Sequence, residues 1–117
     1  MKLLLAFVLL AAHTLAAWAA PQEIPLRLPR TITPTAYQLA LTVDPNQTTH
    51  SGEVNIALDI TKPARLIRLH AVDITLQSAV LTLAGKTYPA RAKQRTSDVL
   101  DLSFARTFPR GKGQLRM

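Results

Sequence analysis

The strongest constraint on this chain is a period of two. In "YQLALTV", Tyr37, Leu39, Leu41 and Val43 alternate with Gln38, Ala40 and Thr42. In "EVNIALDI", Val54, Ile56, Leu58 and Ile60 alternate with Glu53, Asn55 and Asp59. Successive side chains of a strand point to opposite faces, so each stretch reads as a strand with one apolar face to bury. Between them, "DPNQTTHSG" gathers turn formers and ends in Gly52. The two strands are expected to form an antiparallel pair over a shared core, through a loop too long for a two-residue hairpin.

The rest of the chain continues in strands. "TKP" breaks the second one, and "LIRLHAVDITLQSAVL" follows from Leu66 to Leu81. There Leu66, Arg68 and His70 fall on one face and Ile67, Leu69 and Ala71 on the other. After Asp73 the pattern resets, with Ile74 and Leu76 on one face and Ala79, Leu81 and Leu83 on the other. The change of face near Gln77 and Ser78 predicts a bulge or a strand that switches sheets. "AGKT" is a hairpin signal, and "YPARAKQ" is a poorer strand that Pro89 should push to a sheet edge. "VLDLSFA" puts Leu100, Leu102 and Phe104 on one side. "FPRGKG" is a turn, and "QLRM" starts another strand at the end of the sequence.

Helical periodicity is missing after the N-terminal stretch. Short strands between turn signals predict an all-β fold, an antiparallel β-sandwich or saddle-like sheet. With 117 residues there is room for one small domain.

The N-terminus is read separately. Lys2, the apolar run "LLLAFVLLAA" and the small residues of "AAWAAPQ" follow the order of a secretory signal peptide. Ala17 and Ala19 place the cut after Ala19. The rival reading, a membrane anchor over Leu3 to Ala20, is barely long enough and is broken by His13 and Thr14. The expected organisation is a signal-peptide helix at 1–19, an extended proline-rich lead-in at 20–36, and a β-domain at 37–117. The mature protein is then secreted or periplasmic, with no stable membrane association after cleavage. The sequence has no cysteine, so neither a disulfide framework nor a thiol nucleophile is available.

The net charge of +7 comes almost entirely from the tail end of the chain. Basic and acidic residues balance from Ala20 to Ala84, whereas Lys and Arg dominate from Gly85 to Met117. Tyr88, Phe104 and Phe108 sit there at strand-interior positions rather than in a stacking array. A solvated strand face therefore accounts for the charge better than nucleic-acid binding does, and no nucleic-acid partner is expected.

The mature chain contains no H-E-x-x-H, no Cys/His cluster, no G-x-S-x-G and no glycine-rich phosphate loop. His50 reads as a loop residue beside Thr49 and Ser51. His70 and Asp73 could pair, but polar residues alternating off a strand's core face are ordinary. "NQT" at Asn46 matches a glycosylation acceptor triplet, a pattern that often arises by chance.

Four stretches in order carry a resemblance: "RLPRTITPTAYQLALTVDP", "SGEVNIALDI", "IRLHAVDITLQSAVL" and, more weakly, "LDLSFARTFPRGKGQLRM". Together they resemble the start of the N-terminal β-domain of zinc aminopeptidases of the aminopeptidase N family. The resemblance implies that Leu69, His70, Ala71 and Asp73 form a structural junction between strands rather than a site. It implies that the family's zinc helix, with H-E-x-x-H and a downstream Glu ligand, and its G-x-M-E-N loop belong to a following domain. No catalytic, cofactor-binding or metal-binding residue is therefore assigned to any position here, and no cofactor is expected to bind this chain. Zinc is expected in the full-length family member, and the chain's partner is the catalytic domain of that parent.

Two functions follow. The first is a non-catalytic N-terminal segment of a secreted zinc aminopeptidase, inactive by itself. The alternative is a stand-alone secreted β-sandwich binding module. Because "GQLRM" ends as a strand begins, the first is preferred. The same reading expects the last strand to lack neighbours, and Leu100, Leu102 and Phe104 to be incompletely covered.

Overall fold

The computed structural model describes residues 27–117, and every regular element among them is a β-strand. The expected signal peptide lies outside the described residues. The strands are β1 Ile32–Thr42, β2 Ser51–Ile60, β3 Ala64–His70, β4 Val80–Leu83, β5 Lys86–Thr96, β6 Val99–Phe108 and β7 Gly111–Arg116. They form one seven-stranded sheet in the order β1-β2-β7-β4-β5-β6-β3. All six pairings are antiparallel.

Partners across these ladders place one apolar set on a single face. Ile56 lies opposite Leu115, which lies opposite Leu81, which lies opposite Tyr88. At the far end Ile67 meets Leu102, and Leu69 meets Leu100. A flat single sheet would leave that face wet. Here Leu81, Leu102, Phe108 and Leu115 are fully buried and belong to one cluster running from β2 to β3. The sheet therefore curls, so that its inner face covers itself in the manner of a half-barrel. The Phe108 ring meets Phe104 edge-on at 5.1 Å and Tyr88 at 6.2 Å. Arg106 lies over the Tyr88 ring, 5.2 Å from its centroid.

Gly113 is a point of close approach between β7 and β4. It lies opposite both Leu58 and Leu83, and a Cβ there would come within 3.0 Å of Leu81 Cδ1. A side chain at this point would force the Leu81 methyl to give by a few tenths of an ångström, so glycine suits the close packing of β7 on β4.

Several expectations are corrected. The stretch ending the chain is not an unpaired strand: β7 is central, bonded to β2 on one side and β4 on the other. The corner at Pro109 and Arg110 turns it out of the β6 line and into that gap. Leu100, Leu102 and Phe104 are well covered, at 5%, 0% and 4% exposure. The opposite holds for β1. Its row Tyr37, Leu39 and Leu41, with Val43 just past its end, was expected to be buried, yet each of the four is at least 60% exposed. β1 is an edge strand: among the described residues its outer half pairs only with β2, and nothing lies across that half of its inner face.

Pro89 does not push its strand to an edge. β5 is interior, and Pro89 sits where the strand changes partner, from β4 (through Val80) to β6 (from Ala90 onward). A residue without an N–H is tolerated at such a changeover. The predicted long strand from Ile74 shrinks to β4, because Val72 to Ala79 is irregular. β1 begins at Ile32, five residues before Tyr37, and carries a register irregularity between Pro34 and Ala36.

The "AGKT" hairpin forms as read. Leu83 pairs with Lys86, leaving Ala84 and Gly85 as a two-residue loop with φ of 50° and 74°. Positive φ at both positions is the type I′ pattern, which suits Asn-Gly and strains alanine. Ala84→Asn is expected to stabilise the chain by about 0.5–1 kcal/mol, seen as a higher urea midpoint at unchanged slope.

Candidate interaction surface

His70 closes β3 and is exposed. Asp73 lies in the irregular segment beyond it, with φ of 54°. Aspartate tolerates that left-handed conformation better than most residues. Among the described residues no ion pair joins the two, so the structure does not bring them together as a dyad. His50 is an exposed loop residue.

The outer face of β5, β6 and β3 holds a polar cluster that local sequence reading missed. Across the β3–β6 ladder, Arg68 lies directly opposite Asp101. Its Nε and one terminal nitrogen donate to the two carboxylate oxygens at 2.6 and 2.9 Å. Arg95 Nε stands 3.4 Å from the same carboxylate. Asp101 is 8% exposed, the one buried charged residue among those described. Hydrogen bonding from Arg68 holds its carboxyl below the usual carboxylate range against the opposing effect of burial, helped by the charges of Arg68, Arg95 and Lys93. Arg91 and Lys93 share this face, opposite Ser103 and Asp101. The cluster fastens edge strand β3 to the sheet.

The inner side has an uncovered flank. An open trough runs between the β1–β2 arm and β3 with the segment after it, lined by Tyr37, Leu39, Leu41, Leu69 and Leu76 among others. Val72 and Ile74, 59% and 60% exposed, add apolar surface nearby in sequence. The trough's volume, about 1770 Å³, is well above the ~300–1,000 Å³ of small-molecule pockets. An exposed apolar row on one flank of this kind is suited to packing against another body. Among the described residues no group of three or more His, Asp or Glu side chains is placed to hold a metal ion.

Curl, register and open flank together define an all-β sheet domain that keeps a covered core and presents an apolar surface. Residues 33–117 match the family described as Peptidase M1 N-terminal domain. The chain belongs to that family. It is 33% identical over 103 residues to Aminopeptidase M1-D of Oryza sativa subsp. japonica, covering 88% of this chain and 12% of that protein. It is 29% identical to Aminopeptidase M1-C of the same plant, covering 78% of this chain and 10% of the relative. Among solved structures, a two-domain M1 zinc metallopeptidase bound to L-arginine aligns with a TM-score of 0.51 at 25% identity, over 75% of this chain and 20% of that one. An M1 zinc metallopeptidase from Deinococcus radiodurans shares the fold with the same TM-score at 24% identity, over 75% of this chain and 20% of its own. The chain thus spans a small part of each relative's length.

Proposed function

We propose that this chain is the N-terminal β-scaffold of a secreted zinc metallo-aminopeptidase, a parent that removes N-terminal residues from peptides. The scaffold has no catalytic machinery of its own and supplies a surface against which the parent's catalytic domain is held. Family membership and relatives named as aminopeptidases support the reading. The observation that carries it is the uncovered apolar row of β1 facing the trough, in a domain whose core is otherwise closed. Zinc in the parent would supply an activated water as nucleophile. No step of that chemistry runs through residues of this chain, whose role is to fix a rigid sheet. Neither nucleic acid nor membrane enters the proposal.

The purified 117-residue product is expected to hydrolyse no amino-acid amide and to bind no stoichiometric zinc, measured by chromogenic assay and metal analysis. Chelator-sensitive hydrolysis by this product would overturn the reading. Export is tested separately. Secreted material should begin Ala20-Pro21-Gln22 on N-terminal sequencing, and an intact N-terminus held in the membrane fraction would contradict it.

A further inference from the structure

The two edges of the sheet are unlike. β3 is guarded: it carries Arg65 and Arg68, and its register is irregular between Ala64 and Leu66. β1 has its proline and its irregularity in the first half, at Pro34 to Ala36. From Ala36 to Thr42 it has no proline, no bulge and no charge. Sheets ordinarily protect their edges with such features, and an edge lacking all three is a template for another strand. The exposed apolar row lies on this same unguarded half.

Charge favours one occupant. After Arg30 the next Lys or Arg is Lys62, so the whole β1–β2 arm is free of cations. Of its two β2 carboxylates, one is ion-paired with β7 and the other lies across from a β7 lysine. Glu53 accepts from Arg116 Nε at 2.6 Å, and Asp59 lies opposite Lys112. Two copies approaching through β1 therefore meet at uncharged strands and keep their basic faces apart. Approach through β3 would set Arg65 and Arg68 against their equals.

We propose that β1 is a homodimer edge. Two copies pair their Ala36–Thr42 stretches antiparallel about a two-fold axis at Leu39. Antiparallel partners share a face, so Leu39 meets its equal and Tyr37 lies opposite the partner's Leu41. The two apolar rows then join into one patch across a continuous sheet. The contact is isologous and closes at two copies. The contact uses the backbone edge of β1 and leaves the joined apolar row on the inner face, open to the catalytic domain proposed above, so dimerisation is read separately from the aminopeptidase assignment.

The sequence has no cysteine, so Leu39→Cys introduces a single thiol. Across the proposed axis the Cα atoms would be about 4.5–5.5 Å apart, within disulfide range. Mild oxidation should convert Leu39→Cys almost completely into a covalent dimer, while Leu66→Cys on the β3 edge stays monomeric. Leu39→Lys should raise the dimer dissociation constant by at least about tenfold in sedimentation equilibrium. Leu39 is 62% exposed, so both variants should keep the parent's far-ultraviolet circular dichroism. Gln38→Lys, on the opposite face of the same edge, repeats the test should Leu39→Lys unfold. Equal crosslinking at both edges, a parent chain monomeric at high micromolar concentration, or a ladder of growing oligomers would overturn the proposal.

Discussion

Phe108→Ala is expected to cost about 3–5 kcal/mol, a large part of the 5–15 kcal/mol that holds a domain together. Phe108 has no exposed surface, and its ring is wedged edge-on against Phe104 and Tyr88. It is the last residue of β6, just before the corner that carries the chain into β7. Its methylene and ring thus serve two purposes, filling the centre of the curl and fixing the angle at which the last strand enters. The cavity left by alanine is framed by side chains on a hydrogen-bonded sheet, which cannot collapse to fill it. Urea unfolding should show a strongly lowered midpoint. A loss under about 1 kcal/mol would mean that the curl does not enclose this residue.

The second large effect is at Asp101. Replacing it with alanine leaves Arg68 without a partner on a half-buried face and removes a bidentate, charge-assisted pair. A loss of about 2–3 kcal/mol is expected, at the low end for breaking a buried pair because Arg68 keeps some access to water. The pH dependence has a definite sign. Asp101 is more acidic in the folded chain than in the unfolded one, so its contribution is complete above the unfolded value of about 3.9. It is lost as pH falls from there toward the lower folded value. Melting temperatures followed from pH 6 down to pH 2 should drop more steeply below about pH 4 for the parent chain than for Asp101→Asn. Parallel curves for the two would show that the carboxylate adds nothing.

Strands were legible in the sequence wherever alternation was strict, and their neighbours were not. The pattern in β1 is the cleanest in the chain, yet Tyr37, Leu39 and Leu41 remain exposed. Alternation tells which residues share a face and says nothing about what lies over it. β7 shows the converse. "QLRM" is too short to announce itself, yet its strand lies in the interior of the sheet, because position in a sheet is decided by distant partners. Pro89 follows the same rule: it lacks an N–H, and it falls where one partner strand gives way to another. The Arg68–Asp101 pair joins positions 33 residues apart and could be recognised only after β3 and β6 were set in register. Family membership was readable because it rests on four stretches in order, and the family match at 33–117 spans nearly all of that resemblance.

The central claim is that the sheet closes its own core through β6 and β7 and leaves the outer half of β1 uncovered. Amide hydrogen exchange, recorded at a dilution where the chain is monomeric, tests it most directly. Amides of Leu102, Phe104 and Leu115 should exchange only through global unfolding, while those of Ala36 to Thr42 that face away from β2 exchange orders of magnitude faster. Rapid exchange throughout β7, with β1 as protected as β6, would contradict the account.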